Sequence, residues 1–245
     1  MFADRLPKTS DKTRSVLIRI AAFAAGLMLL FVLLLTSTQA LCFWIPDWWR
    51  MEYTKYNTPA NVQGEMSMDD AVHVTEGMLG YCVGKLDTLD NTEATIDGVK
   101  APFFTEREKQ HLADCRELFM KGMRARFICI LMIIGLCIYI FVYLGKKDCL
   151  RALAKGYLRA CAAVLAFALI VLVASMIDFT AVFTLFHKIF FNNDLWILNP
   201  AKDNLINIMQ EDVFADAAMY IGFMWVFVST LLAVIAAVIL RKTKA

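Results

Sequence analysis

The sequence predicts an all-α integral membrane protein with four transmembrane helices and an extracellular helical cap. Its residues are 59% hydrophobic and its mean hydropathy is +0.56, which is too apolar for an ordinary soluble domain. Four apolar stretches reach the roughly 20 residues that a helix needs to cross a bilayer. Basic residues flank these stretches in a pattern that allows one consistent orientation.

The four predicted spans are bounded by charged or aromatic segments and belong to a single membrane domain over residues 1–245. They cover residues 16–44, 127–144, 157–177 and 217–240. The first span has a basic flank like that of a signal peptide, but its apolar part is much longer than a signal's core. We therefore expect a retained helix.

Lysine and arginine in the short flanks predict the orientation, because these residues favour the cytoplasmic side of a membrane. Three segments are basic: the N-terminal tail, the connection after the second span and the C-terminal tail. Their cations are Arg5, Lys8, Lys12, Arg14, Arg19, Lys146, Lys147, Arg151, Lys155, Arg159, Arg241, Lys242 and Lys244. This arrangement puts both termini in the cytoplasm and residues 45–126 and 178–216 outside.

The first external loop, 45–126, is long enough to fold as a cap. Trp48 and Trp49 near its start are typical of the aromatic belt at a membrane surface. Apolar residues at helical spacing then predict a helix over 68–86. The turn-forming pair at 97–98, Asp-Gly, predicts a short hairpin after that helix.

A second helix of the cap begins with a capping box, in which Thr105 and Glu108 each satisfy a free backbone amide. Steps of three and four residues then put Glu108, His111 and Cys115 on one face. Asp114 is close to His111 in sequence. We expect this helix to run straight into the second span.

The second external loop begins as an apolar continuation of the third span. Asp178 and Lys188 do not belong in lipid, so we expect an interfacial or re-entrant helix that ends at the turn over 192–194. Asn199 followed by Pro200 then predicts the start of another helix. That helix has an apolar face that can lie on the membrane, formed by Leu205, Ile208, Met209 and Val213.

Histidine is scarce, and all three histidines of the chain fall outside the cell on this topology. His187 lies at the edge of the bilayer, where an ionisable group is costly and often functional. Its imidazole could act as a general base or acid near neutral pH, or it could simply reach the headgroups. His111 is open to a catalytic role, although a surface helix residue is the commoner case, and His73 is expected to be exposed.

Polar residues near the two histidines could hold a polar intermediate or orient an imidazole. They are Asn192, Asn193, Asp194 and Trp196 after His187, and Asp114 after His111. Trp196 is more often a membrane anchor, and the carboxylates could equally be solvated. The motifs of serine hydrolases, zinc proteases and phosphate-binding loops are absent from the sequence. We expect no metal, cofactor or nucleic acid partner.

Two of the seven cysteines, Cys82 and Cys115, fall in the predicted external cap. A disulfide could form between them in that compartment. Free thiols are the favoured interpretation, because one pair in a long loop is weak support for a bridge. Neither cysteine belongs to a CxxC motif, so the sequence does not indicate a zinc or redox site.

Two segments resemble the lipoprotein intramolecular transacylase family of bacteria, which are four-span integral membrane proteins. In the first segment, the pattern E-x-x-H-x-x-D falls on Glu108, His111 and Asp114. The matching positions of the second are His187, Phe191, Asn192, Trp196, Pro200, Asp203, Leu205 and Ile206. Gln210 departs from the family pattern, in which a proline is expected before Glu211.

The resemblance implies an acyltransferase that acts on diacylglyceryl lipoproteins. Such enzymes move the sn-2 acyl chain from the glyceryl oxygen to the α-amine of the lipid-bearing N-terminal cysteine. We hypothesise that His187 is the main base and acid, that His111 positions substrate or shares proton transfer, and that Asp114 and Asn192 assist. The implied location is the bacterial plasma membrane, with the site facing the outer leaflet. We expect a monomer in contact with membrane lipids.

Two other classes of function stay open at this point. An intermolecular acyltransferase or a lipid hydrolase that forms an acyl-enzyme would need a nucleophile, for which Cys82 and Cys115 are the external thiols. A non-enzymatic membrane sensor or subunit would use the cap to bind a partner and would tolerate substitution of its histidines.

Overall fold

The computed structural model describes residues 11–243, without the side chain of Leu172, and is mainly helical. Its α-helices are α1, Asp11–Phe43; α2, Trp48–Lys55; α3, Met68–Cys82; α4, Glu106–Ile177; α5, Phe179–Phe190; α6, Leu205–Ile208; and α7, Glu211–Lys242. A 3-10 turn spans Thr58–Asn61, and strands β1, Glu93–Ile96, and β2, Val99–Pro102, form a hairpin. The predicted tail cations Arg5, Lys8 and Lys244 lie outside the described residues.

Three helices in this range, α1, α4 and α7, are long and apolar enough to cross a membrane. The longest, α4, is interrupted at Gly145, where φ is 70° and ψ is 176°. These angles are not helical, so α4 consists of two helical segments that meet at this glycine. The predicted second and third spans, 127–144 and 157–177, lie on opposite sides of Gly145. The number of crossings stays a prediction.

The described residues form two compact units. The span unit comprises residues 11–37, Arg124–Val173 and 222–243, and the loop unit comprises Thr38–Met123 and Ala174–Ile221. The loop unit contains most of the two predicted external loops. Their position outside the cell stays a prediction.

Within the span unit, α1 packs closely against the second segment of α4, because a glycine removes the side chain at the contact. A Cβ atom added to Gly156 would clash with the carbonyl oxygen of Ala22. Small residues allow membrane helices to approach each other in this way. Helix α7 joins the same unit through the Trp225 indole, which donates a 2.8 Å hydrogen bond to the carbonyl of Leu30.

The loop unit has an aromatic core that the sequence analysis placed at the membrane surface. Trp48 and Trp49, on α2, are only 2% and 8% exposed. They contact each other edge to face with ring centroids 4.5 Å apart, and Trp49 also contacts Tyr53. The prediction of an aromatic belt is therefore wrong for these two residues, because their rings are buried in protein.

The helix predicted over 68–86 is α3, which ends earlier, at Cys82. Gly84 has a φ of 79°, and the amide of Lys85 donates to the carbonyl of Gly80. This is the Schellman arrangement, in which a left-handed glycine ends a helix and satisfies its last carbonyls. Glycine at this position was the sequence signal for the earlier end.

Two local predictions in the loop unit are confirmed. The turn between β1 and β2 is formed by Asp97 and Gly98, with φ of 51° and 78°, the left-handed pair of a tight hairpin. The capping box of α4 is also present. The Thr105 hydroxyl accepts a 3.3 Å hydrogen bond from the Glu108 amide, and the Glu108 carboxylate accepts one of 2.6 Å from the Thr105 amide.

Helix α5 is separate from α4 rather than a continuation of it. Asp178, with φ of −153° and ψ of 91°, ends α4. Its carboxylate accepts a 2.9 Å hydrogen bond from the amide of Ala181, so this aspartate caps the new helix. The chain leaves α5 before Asn192, in agreement with the predicted turn.

The prediction of a helix that begins at Pro200 is wrong. Pro200 lies in a turn, and helical structure is limited to the single turn α6 before α7 begins at Glu211. Side chains here compete with the helical backbone for hydrogen bonds. Asn199 Oδ1 accepts from the amide of Ala201 at 2.9 Å, and the side chain of Asn207 donates to the carbonyl of Pro200 at 2.9 Å.

The apolar face of this segment does not lie on a membrane, contrary to the prediction. Its residues Leu205, Ile208, Met209 and Val213 are 5%, 0%, 8% and 0% exposed. Periodicity indicates which residues share a face, but not whether that face meets lipid or protein. Here the face is buried within the loop unit, where the Tyr53 hydroxyl lies 3.5 Å from the Met209 sulfur.

Replacing Gly156 by alanine is expected to destabilise the protein by about 1–3 kcal/mol, because the added methyl group would meet the backbone of Ala22. Gly135→Ala is the matched control, since a Cβ atom there meets no described atom within 4 Å and alanine favours a helix by up to about 1 kcal/mol. Thermal unfolding in detergent measures both variants. Equal unfolding temperatures for the wild type and Gly156→Ala would contradict the close contact.

Candidate functional site

The two candidate histidines of the predicted loops meet in the loop unit. His111 lies on the second turn of α4, and His187 lies on the last turn of α5. Their ring centroids are 6.1 Å apart with an angle of 33° between the rings. Both are buried, at 7% and 8% exposure, so the ordinary role of a surface histidine does not apply to either of them.

The orientation of His187 fixes which of its nitrogens is available for chemistry. Its Nδ1 lies 2.8 Å from the backbone carbonyl oxygen of Phe183. A carbonyl oxygen only accepts hydrogen bonds, so Nδ1 carries the proton and Nε2 keeps the lone pair of the neutral ring. The indole of Trp196 covers the same ring at a centroid distance of 4.9 Å, which leaves the imidazole little freedom to turn.

His111 is held as a neutral imidazole. Burial, followed by the nearby His187, lowers the pKa of His111 to about 4, although Asp114 acts in the opposite direction. Its Nε2 lies 3.6 Å from the sulfur of Cys115. Its Nδ1 is buried and has no hydrogen-bond partner among the described residues. A buried ring nitrogen without a partner is costly, so it is available to a ligand.

Phenylalanine rings surround the histidine pair. Phe191 lies 5.2 Å from the His111 ring and 5.6 Å from the His187 ring. Phe183 and Phe186 contact His187 edge to face, at 4.3 and 5.6 Å. These apolar contacts desolvate the imidazoles and strengthen any hydrogen bond made between them and a ligand.

The loop after α5 is fastened to α4 by the candidate Asn193. Its side-chain nitrogen donates a 2.8 Å hydrogen bond to Asp114, and its Oδ1 accepts one of 3.0 Å from the amide of Leu195. Its carbonyl accepts a 2.8 Å hydrogen bond from the indole of Trp196. Asn193 therefore links the part of α4 that carries His111 to the indole of Trp196, which covers His187.

The remaining predicted candidates have less direct positions. Asp194 is exposed, and it contributes its backbone carbonyl, which accepts a 2.6 Å hydrogen bond from Arg107. Asn192 is exposed next to the buried Phe191. His73, on α3, is exposed as predicted.

Two residues support the site in ways that the sequence analysis missed. The guanidinium of Arg107 also donates a 3.1 Å hydrogen bond to the carbonyl of Ile197. Glu108 is fully buried and accepts a hydrogen bond from the amide of Leu205, in addition to its capping contact. Burial raises the pKa of Glu108. Nothing in the sequence distinguishes Arg107 from its charged neighbours in this role. The capping box already accounts for Glu108, so the sequence offers no reason to expect its contact with Leu205.

The thiols near the site are free and neutral. Cys82 and Cys115 form no disulfide. Burial raises the pKa of the Cys82 thiol to about 12 and that of Cys115 well above its ordinary range. A protonated thiol is a poor nucleophile, so neither cysteine is activated for attack. Among the described residues, no group of three His, Cys, Asp or Glu side chains could hold a metal ion.

The fold and the site together define a class of protein: a mainly helical, integral membrane protein with a buried histidine pair beside an apolar helix. The sequence model of the lipoprotein intramolecular transacylase family, Lit, matches residues 23–214. The chain belongs to this family.

Solved structures of the same family have a similar fold. Lipoprotein intramolecular transacylase Lit from Bacillus cereus gives a TM-score of 0.75 at 19% identity, over 94% of this chain and 99% of that one. A variant of the Bacillus cereus protein with one histidine replaced by arginine gives 0.71 at 18% identity, over 95% and 96% of the two chains. A comparison with curated proteins finds no match.

The depressed pKa of His111 predicts a loss of stability in mild acid. Between pH 6.5 and about pH 4 the unfolded chain binds a proton at this residue and the folded protein does not, so the free energy of unfolding falls as the pH is lowered. We expect a loss of about 2 kcal/mol between pH 7 and pH 5. His111→Gln should reduce this loss in thermal unfolding, whereas His73→Gln, at an exposed position, should retain it. An identical acid response in wild type and His111→Gln would contradict the assignment.

Proposed function

We propose that this protein transfers an acyl chain within one lipoprotein molecule. The substrate is a diacylglyceryl lipoprotein with a free α-amine on its N-terminal cysteine, and the sn-2 chain moves from the glyceryl oxygen to that amine. Family membership supports the reaction class. The observation that carries the proposal is the Nδ1 hydrogen bond of His187 to Phe183, which leaves Nε2 as a base beside His111.

In the proposed reaction, the amine nitrogen attacks the carbonyl carbon of the sn-2 ester while His187 Nε2 takes one proton from that nitrogen. The carbon–nitrogen bond forms and a tetrahedral intermediate results. The bond between that carbon and the glyceryl oxygen then breaks, and His187 returns the proton to the departing oxygen. The product is an N-acyl lyso-form lipoprotein, and the enzyme ends in its starting protonation state.

His111 is proposed to act on the substrate rather than as a second strong base. A ring with a pKa of about 4 is neutral at pH 7 and therefore a weak base, but its unpartnered Nδ1 can form a hydrogen bond with substrate or share a proton. A donor aimed at the tetrahedral oxyanion can contribute several kcal/mol. Because the surrounding rings exclude water, such a bond would not compete with solvent.

The other candidates are proposed to hold this arrangement. Asp114 and Asn193 fix the loop through their 2.8 Å hydrogen bond, and Trp196 holds the His187 ring in place. Asn192 and Asp194 are exposed at the same loop and are proposed to contact the polar part of the substrate. No cofactor or metal is required by this chemistry.

The proposed location is the bacterial plasma membrane, with four spans, both termini in the cytoplasm and the histidines facing the outer leaflet. The span unit supports placing two of the basic segments on the same side of the membrane, because Arg14 and Arg19 of α1 line the same cavity as Lys155 and Arg159 of α4. The positive-inside rule then gives the orientation. We propose that the protein works as a monomer among membrane lipids.

His187→Ala is expected to abolish N-acylation without unfolding the protein, because the base and acid of the reaction are lost. The readout is mass spectrometry of the N-terminal lipopeptide of a reporter lipoprotein, in cells that lack other N-acylation activity. Wild type should move one acyl chain to the α-amine at unchanged total mass. His73→Ala, which removes an exposed histidine outside the site, should remain active.

Other outcomes of this experiment would overturn the proposal. An unchanged diacylglyceryl peptide with the wild type would favour a non-enzymatic subunit. A gain of one acyl mass would indicate an intermolecular acyltransferase, and a loss of one acyl mass would indicate a lipid hydrolase. Full activity of a well-expressed His187→Ala protein would refute the role of this histidine.

Cys115→Ser is expected to keep activity within about threefold of wild type, because serine retains a hydrogen-bond donor next to His111 and no thiolate is needed. Cys82→Ala should behave similarly. Initial rates of lipopeptide conversion with purified protein in detergent measure both variants. A loss of about a thousandfold or more in either would instead indicate an acyl-enzyme on that thiol.

A further inference from the structure

A cationic cavity lies at one end of the span unit. The residues that line it belong to other parts of the sequence than His111 and His187. The cavity has a volume of about 600 Å³. Residues 11–19 of α1 form one wall, and residues 144–159 of α4 form the other. Its charged lining residues are Arg14, Arg19, Arg151, Lys155 and Arg159, with Asp11 and Asp148.

In the part of the chain that the structure describes, the positive charge of this cavity is only partly balanced, because its lining contains five cations and two carboxylates. The guanidinium of Arg14 already has two partners, because it lies 3.9 Å from Asp11 and over the ring of Tyr143. Within residues 11–243, the cations Arg19, Arg151, Lys155 and Arg159 form no ion pair or side-chain hydrogen bond. The Nε atoms of Arg14 and Arg151 are buried and have no hydrogen-bond partner among the described residues. Buried polar atoms are normally satisfied, so these guanidinium groups lack an acceptor that an anion would supply.

The surroundings of the cavity favour an anion that is attached to an apolar chain. The cations of α1 precede its long apolar stretch, and Ile18 lies among them in the lining. On α4, steps of three and four residues lead from Arg159 to Ala162 and Ala166, which are exposed. A small exposed face next to the cations leaves room for an acyl chain. A free anion would contact the cations but would make no contact with the exposed face of Ala162 and Ala166.

We propose that this cavity binds the phosphate of an anionic phospholipid, with the acyl chains along the face of Ala162 and Ala166. Arginine forks suit phosphate oxygens, and basic pockets between membrane helices bind anionic headgroups. On the proposed topology the lipid belongs to the cytoplasmic leaflet. This site is independent of the acyl transfer reaction and of the substrate.

The test uses the purified full-length protein and native mass spectrometry with phosphatidylglycerol and phosphatidylcholine of identical acyl chains. Wild type is expected to retain phosphatidylglycerol preferentially. Arg19→Gln with Lys155→Gln should reduce that preference by about fivefold for each cation removed. Arg241→Gln with Lys242→Gln is the matched control, because it removes equal charge from the end of α7 outside the cavity lining, and it should keep the preference.

Size-exclusion chromatography checks that each variant is monodisperse. The single variant Lys155→Gln, at an exposed side chain, gives a second measurement with an expected loss of about fivefold. An unchanged preference in the cavity variants, or an equal loss in the control, would overturn the proposal. A separate titration of wild type with inorganic phosphate, in phosphatidylcholine nanodiscs, should leave the unfolding temperature unchanged. Stabilisation by free phosphate without a phosphatidylglycerol preference would assign the cavity to a soluble phosphate compound instead.

Discussion

The hydrogen bonds that fasten the loop after α5 to the first turns of α4 determine where the two histidines lie. His111 and His187 are far apart in sequence, and helix packing alone would not fix their rings to one geometry. The side chain of Asn193 donates to Asp114, and Arg107 donates to two carbonyls of the same loop. The bond between Asn193 and Asp114 is 2.8 Å long and partly buried, so breaking it leaves polar groups without their partners.

Burial has different consequences for the two imidazoles. His111 has no partner for Nδ1 in the described part of the chain and has a pKa near 4, so it is neutral over the physiological range. His187 has a fixed tautomer, because the carbonyl of Phe183 accepts from its Nδ1. A pair of histidines in contact cannot both be charged easily. The division of roles proposed for them, a base and a neutral hydrogen-bonding group, follows from these surroundings.

The proposed reaction requires little covalent chemistry from the protein. Holding an amine and an ester in reacting geometry supplies about 7–11 kcal/mol of the barrier, whereas one positioned acid or base contributes about a hundredfold to ten thousandfold. The lipoprotein already carries donor and acceptor, so the first contribution comes mainly from the substrate. The absence of an activated thiol among the described residues, where burial keeps Cys82 and Cys115 protonated, fits a route without an acyl-enzyme.

Local signals in the sequence predicted parts of the fold and named the candidate residues of the site. The capping box of Thr105 and the hairpin turn at 97–98 depend on neighbours in the chain, and both are present. The helix predicted from Pro200 failed because polar side chains of the same segment, such as Asn207, take over its backbone groups. Apolar periodicity likewise could not tell that Leu205 meets protein rather than lipid. The topology and a family resemblance put His111 and His187 on one side of the membrane as candidates, but their contact, burial and hydrogen bonds are properties of the three-dimensional structure.

Whether the acyl chain stays within one lipoprotein molecule is tested most directly by an isotope crossover with purified protein. One lipopeptide carries a deuterated sn-2 chain on an unlabelled peptide, and a second carries an unlabelled chain on a heavy peptide. Intramolecular transfer at the histidine pair predicts N-acyl products with only the two original combinations of chain and peptide. Products that combine the deuterated chain with the heavy peptide would contradict it and would require transfer between molecules.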